Sequence, residues 1–172
     1  IHSIEWELVP KSISKFKAAL GYVTKQYAKH LYQKCSVVFV PSEDTAKLLR
    51  FAQIKTMQHI VYLGCNTKRF SPTNKATAKK AVGLAKDSMV IGFCGRIARE
   101  KDLPTLYKAF HHLELGHKNL RLLIVGSGLN LKSLFPSMDK VIWIKSTDTP
   151  QKYLNAMDIF VMPSLTETSS LA

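Results

Sequence analysis

The sequence predicts an α/β protein built on a parallel sheet, and two features of its second half carry this prediction. Short apolar runs alternate with segments of helical periodicity between residues 89 and 162. Apart from Arg121, the runs are apolar throughout, as expected of strands that are covered by helices on both faces. In chain order the predicted elements are strand 89–94, a helix from Leu103, strand 120–125, a helix near 129–136, strand 141–144, helix 150–157 and strand 159–162. This alternation indicates a parallel sheet between two layers of helices.

The helix from Leu103 has its own start signals, because Asp102 is a suitable N-cap and Pro104 falls in the first turn. Thr149 and Pro150 repeat this pattern at the start of the helix predicted for 150–157. The apolar face predicted for the first of these helices consists of Leu103, Leu106, Phe110 and Leu113.

The first half of the chain predicts a long amphipathic helix at residues 11–34. Spacings of three and four place one set of apolar side chains on a single face, which we expect to be buried: Ile13, Phe16, Leu20, Val23, Tyr27 and Leu31. Lysines at 11, 15, 25 and 29 project from the opposite side, as a solvated face or as a surface for anionic lipid headgroups. Strand 36–40, helix 43–52 capped by Ser42 and an apolar run at 59–63 follow.

A polar stretch that contains Pro72 divides the chain. It predicts the end of a first domain at residues 1–63, a linker at 64–80 and a second domain at 81–172 that is incomplete at its C-terminus. Because the sequence begins without Met, it is interpreted as part of a larger protein.

Composition narrows the class of protein. Twenty-five Lys and Arg against twelve Asp and Glu give a net charge of +13, which favours polyanionic partners such as sugar nucleotides, anionic membranes or nucleic acid, or is simply a basic soluble surface. No apolar run is long enough to span a bilayer. Cys35, Cys65 and Cys94 lack paired spacing and are interpreted as reduced core residues of a cytoplasmic protein. His111 and His112 lack metal-ligand spacing, so no metal is predicted.

Candidate ligand-binding residues follow the predicted strands, where ligands bind in open parallel sheets. Gly95 and Arg96 end one strand, and Lys101 precedes the next helix, so the two cations are placed to flank a diphosphate; the alternative is two solvated loop cations. Gly126, Ser127 and Gly128 form a small-residue turn, which suits either close ligand approach or a tight turn.

After the last strand, Glu167 is suited to binding sugar hydroxyls, or to capping the segment that follows.

In this order and spacing, GRIAREKDLPTLYKAF, LLIVGSG and KYLNAMDIFVMPSLTE resemble the retaining glycosyltransferases of family 4. PSE at 41–43 and YLGCNTKRFSP at 62–72 resemble the interdomain segment of the same family. The resemblance implies the GT-B architecture: a doubly wound, Rossmann-like C-terminal domain preceded by the end of an N-terminal Rossmann-like domain, with the active site in the cleft between them.

The resemblance also implies roles for single residues. Arg96 and Lys101 match the pair that binds the donor diphosphate, and Glu167 matches the first carboxylate of the E-x7-E motif beside the donor sugar. Gly126 and Gly128 match a glycine-bearing loop of the donor cleft. The segment around Ile144 and Lys145 matches the strand end whose backbone meets the nucleobase, and His2 resembles a histidine near the reacting sugar.

Three departures from the family pattern stand out. The second Glu of E-x7-E would fall at position 175, beyond this chain, Asn66 replaces the usual Asp, and Lys145 replaces a common Gly. They leave the ribose contact, the role of the interdomain turn and the base preference open.

We therefore expect the larger protein to transfer a hexosyl group from a UDP- or GDP-linked sugar to a hydroxyl acceptor with retention. No cofactor is needed, because Arg96 and Lys101 stabilise the leaving phosphate. Basic residues along the helix at 11–34 suggest a lipid-linked or anionic acceptor at the cytoplasmic membrane surface. The expected pathway is glycolipid, polysaccharide or cell-envelope synthesis. This fragment alone is expected to be inactive. The alternatives are a non-catalytic nucleotide- or nucleic-acid-binding module and another GT-B enzyme such as an epimerase; no nucleic-acid-binding signature is present.

Overall fold

The computed structural model describes residues 17–167. They divide into two compact units between residues 65 and 66, and residues 166 and 167 group with the first unit. The assignment of these units to the acceptor and donor sides of an enzyme stays a prediction.

The first unit is a two-stranded parallel sheet with two helices. Its elements are α1 Lys17–Gln33, β1 Val37–Val40, α2 Glu43–Phe51 and β2 Met57–Ile60. The N-cap prediction for α2 is confirmed, since the Ser42 hydroxyl accepts the Thr45 N–H at 3.2 Å. Strand β2 begins two residues before the run predicted at 59–63 and ends at Ile60. Val61 still donates to the Val40 carbonyl at 2.8 Å, and its side chain is exposed.

The predicted buried face of α1 is wrong where its side chains are described. Val23, Tyr27 and Leu31 are 61%, 64% and 42% exposed. The helix packs instead through Ala28, which is buried, and Tyr32, which lies against the core around Val38 and Leu49. Ile13 and Phe16 lie outside the described residues.

The second unit is a four-stranded, wholly parallel sheet, as predicted. Its elements are α3 Lys75–Ala81, β3 Met89–Cys94, a 3-10 turn Arg99–Lys101, α4 Leu103–Glu114, β4 Leu120–Val125, α5 Leu131–Leu134, β5 Val141–Ile144, α6 Pro150–Leu154 and β6 Ile159–Phe160. The strand order is β5-β4-β3-β6. Alternate side chains enter two cores on opposite faces, with Phe93 and Leu122 in one and Val90 and Leu123 in the other. The prediction of a sheet covered on both faces is therefore confirmed.

Local differences from the sequence predictions have identifiable causes. The polar segment 64–80 contains helix α3, which Asn74 caps by accepting the Thr77 N–H at 3.1 Å. Asp102 precedes α4 as expected, but it makes no side-chain cap bond and adopts a left-handed conformation with φ of 45°. Leu113 is exposed, because α4 runs past the end of the core.

The cysteine prediction is wrong in part. Cys35 and Cys65 are exposed, and only Cys94 is half-buried. Cys35 and Cys65 lie close to apolar runs in the sequence, but neither thiol is part of a core. Burial raises the pKa of the Cys94 thiol.

Candidate functional site

The carboxyl ends of β3 and β4 are joined by main-chain hydrogen bonds. Gly95 donates to the Val125 carbonyl at 2.9 Å, Ile97 to Ser127 at 2.8 Å, and Leu129 back to Ile97 at 2.8 Å. Because loops at this edge are tied to each other, residues 95–97 and 126–129 form one surface rather than two independent loops. This is the edge where open α/β sheets bind ligands.

Glycine is required in the 126–128 turn by this close approach. Gly126 and Gly128 have φ values of 150° and 138°, which L residues rarely adopt. A Cβ at Gly126 would lie 1.8 Å from the Gly95 carbonyl oxygen, and one at Gly128 would lie 2.1 Å from that of Ile97. The two glycines therefore allow the main chain of this turn to approach that of residues 95–97. This agrees with the interpretation of the motif as a tight turn.

Arg96 is presented to solvent by a buried carboxylate. The Arg96 Nη2 lies 2.5 Å from Oε1 of Glu100, with the two side chains 67% and 5% exposed. A carboxylate of this kind fixes one edge of the guanidinium, and the planar group keeps further donors for an anion. Sequence reasoning missed Glu100, which stands between Arg99 and Lys101 and resembles an ordinary surface charge.

Glu100 also connects this turn to the segment after β6. Its carbonyl accepts the Leu165 N–H at 2.8 Å, so the loop that follows β6 lies against the 3-10 turn. Lys101 is the last residue of that turn and is half-buried. The Ser164 hydroxyl nearby is buried and has no hydrogen-bond partner among the described residues. Such a group would be satisfied by a bound molecule.

Beside the glycine turn lies an open cleft of about 520 Å³. It is lined by Ser127, Gly128, Asn130, Lys132, Trp143 and Lys145. The Trp143 indole donates to the Gly126 carbonyl at 3.0 Å, and Lys145 Nζ lies 5.3 Å from the centre of its ring. Ile144 anchors this region, because its carbonyl accepts the Gly126 N–H at 2.8 Å.

The structure thus brings most of the predicted residues of the second unit to one sheet edge. The glycine turn, Gly95, Arg96, Ile144 and Lys145 meet there through the contacts given above. His2 lies outside the described residues. Glu167 is exposed and groups with the first unit, so its predicted contact with a donor sugar stays a prediction.

At the opposite end of the strands, a partly buried ion pair has a structural role, with the Lys79 and Asp158 side chains 8% and 26% exposed. Lys79 Nζ lies 2.7 Å from Asp158 Oδ2 and donates to the Ser88 carbonyl, and the same carboxylate accepts the Val90 N–H at 2.8 Å. Partial burial acts to raise the pKa of Asp158. The hydrogen bonds from Lys79 and Val90 and the charges of Lys79 and Lys75 outweigh it and hold the pKa below its ordinary value.

Among residues 17–167, no group of three or more His, Cys, Asp and Glu side chains is placed to hold a metal ion. No helix in the same range has the length and apolar content needed to cross a bilayer.

Known proteins resemble this chain in sequence. Residues 88–172 match the family model described as glycosyl transferases group 1. The alpha-monoglucosyldiacylglycerol synthase of Acholeplasma laidlawii is 26% identical over 95% of this chain and 44% of its own length. The chain spans between 28% and 44% of the length of the curated relatives it matches first.

Solved structures share the fold. Sucrose-phosphate synthase from Thermosynechococcus elongatus superposes with a TM-score of 0.75 at 22% identity, covering 95% of this chain and 44% of that one. Anabaena HepE, solved in complex with UDP and glucose, has a TM-score of 0.69 at 19% identity, covering 85% of this chain and 43% of that one.

Parallel sheets covered by helices, with cations and a glycine turn at one carboxyl edge, define this chain as an α/β protein with the fold of GT-B glycosyltransferases. More particularly, residues 88–172 are similar in sequence to the group 1 glycosyl transferases.

Proposed function

We propose that the second unit is the donor half-site of an enzyme that transfers a hexosyl group from a nucleoside-diphosphate sugar to a hydroxyl acceptor. The observation that carries this proposal is the exposed Arg96 guanidinium, held by buried Glu100 at the same sheet edge as the cleft of Trp143 and Lys145. An anion-binding group beside a cleft large enough for a base suits a nucleoside diphosphate.

In the proposed reaction, the C1–O bond between sugar and diphosphate breaks, the acceptor oxygen bonds to C1, and the proton of the acceptor hydroxyl passes to an oxygen of the leaving diphosphate. The bonding electrons leave with the diphosphate. Arg96 and Lys101 stabilise the negative charge that grows on it, and this is where electrostatic preorganisation lowers the barrier most. We assign Glu167 to binding the hydroxyls of the sugar and His2 to a role at the reacting carbon. The transfer proceeds with retention of configuration at C1.

Activity of the full-length protein tests these roles. Arg96→Ala or Lys101→Ala should lower turnover by about 100-fold, as removal of a preorganised anion-stabilising donor does. NMR of the product reports the configuration at C1. Near-normal turnover in both variants would refute the diphosphate roles, and an inverted product would refute retention.

We propose a lipid-linked acceptor at an anionic membrane surface, with the protein at the cytoplasmic face. Three observations support this: the net charge of +13, the exposed Tyr22, Val23 and Tyr27 on α1, and the similarity to alpha-monoglucosyldiacylglycerol synthase. Co-sedimentation with vesicles of anionic and of neutral lipid tests it. Binding should require anionic lipid and weaken with salt, and absence of binding at low salt would refute it.

A non-catalytic nucleic-acid-binding module is the second candidate, and the net charge of +13 favours it. Thermal unfolding separates the two. UDP or GDP should raise the melting temperature more than an oligonucleotide of similar charge at equal concentration if the donor-site proposal holds. The reverse order would favour the nucleic-acid module.

A further inference from the structure

The side chains that line the cleft beside the glycine turn are rich in hydrogen-bond donors. Among the described residues that line it, none is acidic, and Lys132 and Lys145 carry ammonium groups that can only donate. Asn130 adds to this bias, because its side-chain oxygen already accepts the Lys132 N–H at 3.1 Å and leaves the amide NH2 group. A ligand in this cleft is therefore met mainly by donors.

Trp143 offers a fixed aromatic face in the same cleft. Its indole N–H is held by the Gly126 carbonyl at 3.0 Å, and Gly126 is itself held by the Ile144 carbonyl at 2.8 Å. Two hydrogen bonds in series thus set the orientation of the ring relative to the end of β5. An aromatic side chain with a fixed orientation is a suitable platform for stacking a planar base.

Lys145 lies over this ring, with Nζ 5.3 Å from its centre. A cation–π contact at an exposed site is weak. A base that stacks on Trp143 displaces the ammonium to the edge of the base, where a carbonyl oxygen can accept from it. Uracil and guanine carry a carbonyl oxygen where adenine carries an amino group, which is itself a donor.

We propose, on the basis of the donor-site function above, that Lys145 and Trp143 select the base of the donor nucleotide, favouring uracil or guanine over adenine. Lys145 is the discriminating residue and Trp143 is the platform. The physical reason is that adenine presents its amino group to the Lys145 ammonium where uracil and guanine present a carbonyl oxygen, and a site built to hydrogen-bond one group rejects an analogue that lacks it.

Fluorescence of Trp143 provides the test. The chain has two tryptophans, so Trp6→Phe leaves Trp143 as the single reporter. UDP, GDP and ADP carry the same diphosphate, and differences in affinity therefore report the base. We expect UDP and GDP to quench Trp143 and to bind about tenfold more tightly than ADP, the value of one charge-assisted hydrogen bond near 1.4 kcal/mol.

Substitutions at Lys145 identify the discriminating group. Lys145→Met should bring the ratio of ADP to UDP dissociation constants to within about twofold of one, and Lys145→Arg should keep the preference because it keeps the donors. Lys118→Met removes an exposed lysine outside the cleft and should leave the ratio unchanged. Circular dichroism melting of each variant verifies that it is folded.

Equal affinities for UDP and ADP in the Trp6→Phe protein, or a preference for UDP that survives Lys145→Met, would overturn the inference while leaving the donor site intact. If none of the three nucleotides binds, the proposed function fails, and the inference fails with it. Binding without quenching of Trp143 would overturn the stacking role.

Discussion

Arg96 should contribute to folding and to nucleotide binding by separate routes, and a second substitution should restore only the first. Arg96→Ala leaves the Glu100 carboxylate, whose side chain is 5% exposed, without its partner at 2.5 Å. Removing one member of a fully buried pair costs about 3–5 kcal/mol. Because the Arg96 side chain is 67% exposed and solvent screens the pair, we expect about 1–2 kcal/mol here.

The double variant Arg96→Ala/Glu100→Gln should regain most of that stability. Gln has nearly the shape of Glu and leaves no buried charge uncompensated, so its unfolding free energy should return to within about 0.5–1 kcal/mol of the wild-type value. Affinity for UDP should not return. A charge-assisted hydrogen bond to the diphosphate is worth about 1.5–3 kcal/mol, so both variants should bind UDP roughly 10- to 100-fold more weakly.

Urea unfolding monitored by circular dichroism measures the first quantity, and titration calorimetry with UDP measures the second. Arg99→Ala, which removes an exposed arginine from the same turn, is the stability control and should cost under about 0.5 kcal/mol. Recovery of UDP affinity in the double variant would refute a direct contact between Arg96 and the diphosphate. Wild-type stability in Arg96→Ala would refute the structural role of the pair.

Three further predictions concern stability. Asp102→Gly should stabilise the chain by about 0.5–1 kcal/mol in urea unfolding, because φ of 45° strains an L residue that makes no cap bond; a loss of stability would contradict this. Gly126→Ala should cost at least about 3 kcal/mol, since its Cβ would lie 1.8 Å from a carbonyl oxygen, whereas Gly64→Ala, with open space around it, should cost far less. Lys79→Met should cost about 2–3 kcal/mol, because it removes the cation that pairs with Asp158. Folding lowers the pKa of Asp158, so the stability that this carboxylate contributes is complete above its unfolded pKa and is lost as the pH falls below about 4. Acid unfolding of Asp158→Asn should therefore depend less on pH than that of the wild type.

The central strands could be predicted from the sequence because their physics is local. Strands at 89–94, 120–125 and 141–144 have the predicted bounds, since each is a run of apolar residues, broken only by Arg121, between turn-forming residues. The exposed edge strand at 159–160 is shorter than predicted, because the apolar character of Val161 and Met162 continues after the ladder ends.

The packing direction of α1 could not be predicted in the same way. Periodicity shows that Val23, Tyr27 and Leu31 share a face, but not which face meets the core. In the structure the small side chain of Ala28 lies at the contact, and the larger apolar residues point outward. That choice depends on the shape of the partner surface, which the helix sequence does not contain.

The candidate site was predictable in its outline and not in its supporting contacts. Arg96, Lys145 and the glycine turn follow strands, and strand ends of a parallel sheet converge at one edge. The main chain of Glu100 is hydrogen-bonded to the distant Leu165, and the orientation of Trp143 depends on a carbonyl seventeen residues away in sequence. Contacts of this kind arise from tertiary structure and leave no local pattern.

The most direct test of the donor half-site is calorimetric titration of UDP and GDP into the 172-residue chain and its Arg96→Ala and Lys101→Ala variants. At least one of the two nucleotides should bind with one-to-one stoichiometry, and each substitution should weaken that binding about tenfold or more. Absence of binding by both nucleotides, or affinities that neither substitution changes, would contradict the account.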